Sequence, residues 1–130
     1  MSTWGSFTDE QYCYLTTSGR VSGRPHRIEI WFALEGDTVY LLSGGRDRSD
    51  WVKNLRKTPE VTVELGSGVF SGRARVVEDA AEDERARALV HDKYAAGYGG
   101  DLTGWRGSAL PVAVDLHEVV PTARDPGDPQ

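Results

Sequence analysis

Two short stretches of this sequence hold the residue types best suited to binding an anion. One is Ser18-Gly19-Arg20-Val21-Ser22-Gly23-Arg24-Pro25 and the other is Ser43-Gly44-Gly45-Arg46-Asp47-Arg48. Each joins glycine to arginine at the expected end of a strand. Exposed backbone N–H groups and guanidinium forks there are the standard means of holding phosphate. A short helix starting near Trp51 would point its positive dipole end at the second stretch, with Lys53, Arg56 and Lys57 just beyond. Spacing alone leaves a second reading open, namely ordinary turns carrying solvated arginines.

Other chemistries lack their residues. His26, His91 and His117 lie far apart and show no metal-ligand spacing. Neither Ser18-Gly19 nor Ser43-Gly44-Gly45 forms a nucleophile elbow or a Walker loop, and no GxGxxG follows a strand. The single cysteine, Cys13, sits in the apolar run Tyr12-Cys13-Tyr14-Leu15 with no activating motif around it, so it reads as a small packing residue in the core or at a dimer face. A lone cysteine also excludes an internal disulfide and suits a reducing cytoplasm.

The elements that must position the two loops are mostly strands. Gln11 to Thr17 is aromatic, β-branched and apolar, and it runs into the first loop. In His26 to Leu34 the residues Ile28, Ile30, Phe32 and Leu34 alternate onto a core face, while Arg27, Glu29, Trp31 and Ala33 take the other. The Arg27-Glu29 segment reads either as an interface or cofactor floor, or as a solvent-facing ladder pair. Glu35-Gly36-Asp37 turns the chain into a returning strand, Thr38 to Ser43. Ser49 or Asp50 then caps a helix over Trp51 to Lys57, with Trp51, Leu55 and Val52 on its buried face and Pro59 stopping it. Val61 to Leu65 and Val69 to Val77 form a hairpin about Gly66-Ser67-Gly68. Asp79 and Glu82 suggest a capping box for a helix over about 80–96, buried through Ala86, Leu89, Val90 and Tyr94. Gly97 to Gly100 reads as a flexible loop, and Leu110 to Leu116 as the closing strand.

About six strands joined mainly by hairpins, with two helices, predict a mainly β, α+β domain whose antiparallel sheet closes into a barrel. The domain is expected over residues 11–120, between an N-terminal segment of 1–10 and a disordered Asp/Pro-rich tail of 121–130. Formal net charge is −5, yet residues 20–57 carry eight Lys/Arg against five Asp/Glu. An acidic protein with one local basic zone argues against nucleic-acid binding and for a single small anionic ligand. No apolar run reaches the length of a membrane span, and no signal sequence opens the chain.

Thr16-Thr17-Ser18-Gly19-Arg20-Val21-Ser22-Gly23-Arg24-Pro25 resembles the Thr-Thr-x-Gly-Arg-x-Ser-Gly-x-Pro signature of deazaflavin-dependent nitroreductases. Trp51 to Val63 is similar to the family's Trp-x-x-Asn-Leu-x-x-x-Pro-x-Val segment, in the same order. The likeness runs from about Tyr14 to Leu116. It implies a split β-barrel of the pyridoxamine-phosphate-oxidase-like kind, usually a homodimer, using coenzyme F420 as hydride donor, with FMN as the alternative cofactor. On that pattern Arg20, Val21, Ser22, Arg24 and His26 would meet the phosphate and tail. Leu41, Leu42, Ser43 and Gly44 would run beside the ring, and Trp51, Lys53 and Asn54 would close the site. Val21 and His26 stand where many members carry a basic residue, so Arg24, Arg27 or Arg46 would compensate, or the site would have drifted toward FMN or lost catalysis. Ser43 is the catalytic candidate, as a donor to substrate or ring. Trp31, Tyr94, Tyr98 and Trp105 would wall an aromatic or quinone-like acceptor, with core or dimer packing as the alternative for each. The implied activity is reduction of a quinone, enone or nitroaromatic. A non-catalytic flavin, haem or fatty-acyl carrier is the other reading of the same barrel.

Overall fold

A computed structural model describes residues 7, 10–95, 97 and 100–119. The chain runs through β1 (Cys13–Ser18), β2 (Pro25–Ile30), β3 (Ala33–Glu35), β4 (Thr38–Ser43), a single 3-10 turn (Arg46–Arg48), α1 (Asp50–Lys57), β5 (Glu60–Leu65), β6 (Gly68–Val76), α2 (Ala80–Ala95), α3 (Thr103–Ser108) and β7 (Leu110–Val119). The strands form one antiparallel sheet of order β2-β1-β5-β6-β7-β4-β3.

That order explains why the sheet curls. β2 and β3 lie at opposite edges, yet only Trp31 and Phe32 separate them in sequence. Such a link spans at most about 11 Å between its flanking Cα atoms. The two edges must therefore approach each other, and the sheet becomes a split barrel. The single strand expected over His26 to Leu34 is in fact two strands, broken at Trp31-Phe32. The apolar alternation continues through the break because Phe32 still points inward and is fully buried, so the period does not mark the corner.

Leu15, Phe32, Val39, Leu41, Val63, Phe70, Val112 and Val114 fill the barrel, and Val52 and Leu55 of α1 plug one end. Trp51, expected on the buried face of α1, is only half-buried, and Asn54 is buried in its place. The other face of β4 is also covered: Tyr40 and Leu42 pack with Ala113 beneath Ala86, Val90 and Tyr94 of α2. α2 starts as its sequence suggests, the Glu82 N–H donating to Asp79 Oδ2 at 2.9 Å. The Glu82 carboxylate does not close a capping box. It accepts instead from Arg75 at 2.7 and 2.8 Å and from the Tyr40 hydroxyl at 2.8 Å, while Arg75 also grips Asp115. Arg75 thereby ties β6, β7 and α2 together and holds both carboxyls below their usual range.

Helix α3 is a third helix beside the two the sequence suggests. Gly104 and Gly107 suppress its propensity, and packing through Trp105 together with the Asp101 carboxylate on the Thr103 N–H supplies what propensity does not. Cys13 is buried at 1% exposure and burial pushes its thiol pKa up to about 12, which suits packing and not nucleophilic chemistry. No helix among the described residues is long and apolar enough to cross a membrane. The segments 1–6 and 121–130, like Tyr98, lie outside the described residues.

Candidate functional site

The β1–β2 loop reverses tightly. The Gly19 N–H donates to the Arg24 carbonyl at 2.8 Å, the Gly23 N–H donates back to the Gly19 carbonyl at 2.9 Å, and Gly23 takes φ +76°, which a side chain would resist. Gly19 is itself buried, and a Cβ there would lie 2.7 Å from His26 Nε2. The loop folds over the start of α1, and Gly19, Arg20, Val21, Ser22, His26, Asp50 and Asn54 line a cleft of about 270 Å³. The first loop and the start of α1 thus share one cleft, while the second loop, 43–48, contributes no residue to its lining.

Asn54 is the joint between them. Its side chain is 3% exposed; its carbonyl oxygen accepts from the Arg20 backbone N–H at 3.1 Å and from Arg20 Nη1 at 2.9 Å. Its amide donates to Thr17 Oγ1 at 3.2 Å. Arg20 Nη2 meets Asp50 Oδ1 at 3.1 Å, and Lys57 Nζ donates to the Arg20 carbonyl at 2.8 Å. Arg20 is therefore half a strut: part of its hydrogen-bonding capacity holds the loop to the helix. Lys57 lies outside the residues singled out from the sequence for this role, although the basic run at the end of α1 signals it. Val21, at 94% exposure, stands at the loop tip, and Lys53 lies exposed on α1.

The second loop meets an aromatic wall. Trp31 stacks on Tyr94 with ring centroids 4.2 Å apart and planes 7° from parallel, and it meets Trp105 edge to face at 5.8 Å. Gly44 lies against Trp105, and a Cβ there would stand 3.6 Å from the indole Nε1, an ordinary contact. Tyr94 is buried. Its hydroxyl donates to the Gln11 carbonyl at 2.7 Å and accepts from the Phe32 N–H at 3.0 Å, so it serves as a backing for Trp31 more than as a surface. Burial pushes its pKa up to about 12. Leu41 and Leu42 are buried in different apolar clusters, which leaves only backbone from that stretch to border a ligand.

Ser43 is 2% exposed, and its hydroxyl donates to the Arg46 carbonyl at 2.9 Å. With that proton used, Ser49 Oγ must be the donor in the 2.8 Å contact between the two hydroxyls. The bond holds Arg46 in the left-handed region at φ +56°, and Arg46 Nη1 anchors the turn to the Ser108 carbonyl of α3. On this geometry Ser43→Ala is expected to cost about 1–3 kcal/mol of stability and to change turnover by less than about tenfold. Thermal melts and steady-state rates check this, and a drop of a hundredfold or more in kcat with an unchanged melt would restore a catalytic hydroxyl.

Arg27 and Glu29 resolve as a surface ladder. Arg27 pairs with Glu64 at 2.8 and 3.1 Å and lies 3.8 Å over the Tyr14 ring, and the Tyr14 hydroxyl donates to Glu29. No cluster of His, Cys, Asp or Glu among the described residues is placed to hold a metal ion.

The chain is thus a curled antiparallel barrel with a glycine-arginine cleft where the β1–β2 loop meets α1 and an indole pair near the second loop. Solved structures share this shape. A conserved hypothetical protein of Mycobacterium tuberculosis superposes with TM-score 0.72 at 22% identity, covering 92% of this chain and 82% of that one. A protein described as an F420 reductase gives 0.65 at 17%, covering 92% and 98%. A Listeria innocua protein provisionally described as a pyridoxamine 5′-phosphate oxidase gives 0.65 at 19%, covering 89% and 91%. At these identities the likeness shows the fold, a pyridoxamine-oxidase-like split barrel. The model of the F420H(2)-dependent quinone reductase family matches residues 3–117, and the chain belongs to that family. It is accordingly an F420-dependent oxidoreductase.

Proposed function

We propose that this chain passes a hydride from reduced F420 to a small electron-poor acceptor, a quinone before an enone or nitroaromatic. The observation that carries this reading is the joining of the β1–β2 loop to α1 through Asn54. The residues fit the cofactor's shape and charge. Arg20 and His26 line the cleft, Gly19 lets His26 and Ser22 pack close over the loop, and Lys57 Nζ donates to the Arg20 carbonyl. Arg20, Val21, Ser22, Arg24 and His26 would hold the phosphate and tail. Backbone of Leu41 to Gly44, with Trp51, Lys53 and Asn54, would border the ring. The bound cofactor supplies the hydride, so the protein's part is to orient, exclude water and present donors to developing charge.

Trp31 and Trp105 are the acceptor wall in this reading, and Tyr94 fixes the angle of Trp31. A homodimer completes it: β2 is a sheet edge with most residues exposed, and Val21 stands bare beside the cleft, so a second subunit would cover both and exclude water from hydride transfer. Stopped mixing of the reduced F420 complex with a quinone, an enone and a nitroaromatic tests the assignment. Oxidation fastest by the quinone is expected; a tight reduced complex that none of them oxidises overturns the reading in favour of a carrier. Trp105→Ala should lower kcat/KM for the quinone about tenfold, near 1.4 kcal/mol, while leaving the F420 Kd within about threefold.

A further inference from the structure

β4 ends at Ser43 and β7 begins at Leu110, and these two residues face each other in the last rung of their ladder. Beyond that rung the second loop leaves from Gly44, and α3, which carries Trp105, arrives at Ser108. Helix α3 is poorly able to place itself. It has six residues, and at two of them, Gly104 and Gly107, a Cβ would meet nothing within 4 Å beyond the helix itself. A helix that short has no stability of its own, so its position is set by what it is tied to. On one side α2 holds it, Arg87 Nη1 donating to the Arg106 carbonyl at 2.5 Å and Arg106 meeting Glu84 at 2.7 Å. On the other side, among the described residues, the hydrogen bond from the second loop is that of Arg46 Nη1 to the Ser108 carbonyl. Ser108 is the last residue of the helix, where a cation meets both an open acceptor and the negative end of the dipole.

Arg46 adopts a costly backbone to make this contact. Among the described residues it is the one non-glycine at positive φ, +56°, a region otherwise taken by Gly23, Gly36 and Gly66. Glycine adopts it freely, whereas a side chain resists it. The Ser43 hydroxyl, itself bonded to Ser49 Oγ, holds the Arg46 carbonyl in place. Two hydroxyls thus fix the backbone from which the guanidinium reaches α3. On the same helix Trp105 lies against Gly44 and meets Trp31 edge to face at 5.8 Å.

We propose that Arg46 is a positioning residue for the hydride acceptor: its hold on Ser108 sets how far α3 stands from the second loop, and so where Trp105 sits relative to Gly44 and Trp31. This rests on reading Trp31 and Trp105 as the acceptor wall. An arginine in a glycine-rich loop otherwise reads as an anion contact, but here the guanidinium is turned to a helix carbonyl. Its loss therefore falls on the acceptor and not on the cofactor. A displaced indole weakens acceptor binding, while the hydride chemistry of the bound acceptor stays nearly the same, so KM moves more than kcat.

The test is steady-state quinone reduction by wild type, Arg46→Asn, Arg46→Lys, Trp105→Ala and the Arg46→Asn/Trp105→Ala pair, with the F420 Kd and a thermal melt for each. Arg46 is exposed, so its replacement opens no cavity. Asparagine tolerates the left-handed backbone but is too short to reach Ser108, and lysine keeps the reach and a cationic donor. Arg46→Asn is expected to raise the quinone KM about three- to fivefold, with kcat and the F420 Kd within about twofold and the melt near that of wild type. Arg46→Lys should recover most of that loss. In the Trp105→Ala background, Arg46→Asn should alter KM less than about 1.5-fold, because the group it positions is gone. Near-UV circular dichroism gives a reading that a stabilising role alone would not move: the signal that Trp105→Ala removes should shrink in Arg46→Asn. An F420 Kd raised more than the KM would overturn the proposal in favour of an anion contact. A KM effect that persists in full without Trp105, or no effect of Arg46→Asn where Trp105→Ala has one, would overturn the role of Arg46 and keep the wall. Quinone kinetics that Trp105→Ala leaves unaltered would overturn the wall, and Arg46 with it.

Discussion

Asn54→Ala is expected to lower stability by about 2–4 kcal/mol and to raise the F420 Kd at least about tenfold. The side chain is buried and makes three contacts, two to Arg20 and one to Thr17. Alanine leaves the Arg20 backbone N–H and the Thr17 hydroxyl without that partner, at about 1–3 kcal/mol for each buried group stranded. The functional loss has a separate cause, since the same contacts set the spacing between the β1–β2 loop and α1. Asn54→Asp separates the two effects: it keeps an acceptor for Arg20 and loses the donor to Thr17, so it should recover most of the affinity and less of the stability. Denaturant unfolding with F420 titration reads both, and an Asn54→Ala protein with wild-type Kd would show that the joint does not position the cofactor.

Leu55→Ala should behave in the opposite sense, costing about 2–5 kcal/mol of stability while the folded protein keeps its Kd. Leu55 sits one residue along α1 but faces the barrel, at 1% exposure, among Val52 and the core strands. It also floors a separate surface cleft of about 510 Å³ beside Pro59 and Ala74. Water can enter a cavity opened there, so the lower half of the range is expected. Urea unfolding gives the value, and a loss below about 1 kcal/mol would mean that α1 is not the plug of the barrel.

The contrast between these neighbours shows what the sequence discloses. Apolar period identified the hairpins, and Gly36 and Gly66 occupy positive φ at the tips where glycine was read as a turn. Leu55 and the face of α2 followed from helical spacing. The corner at Trp31-Phe32 escaped because a curled sheet keeps its inward period across the bend, and α3 escaped because its stability is tertiary. The first loop and α1 were legible as partners through the family likeness, but not the bonds that join them. Sequence shows that Arg20 is a cation; only folding shows that Asp50 and Asn54, 30 and 34 residues away, take up part of its hydrogen bonding. Ser43 likewise reads as a free hydroxyl until the turn brings the Arg46 carbonyl onto it.

The position of β7 between β6 and β4 has a consequence for synthesis on the ribosome. Translation delivers β1, β2, β5 and β6 as one ladder and β3 with β4 as another, and each ladder has a bare edge that β7 must fill. Until residues 110–119 emerge, both edges present unpaired backbone, the kind that recruits strands from neighbouring chains. The sheet is therefore completed late, and the window of vulnerability to aggregation closes only when residues 110–119 are free to pair with both ladders.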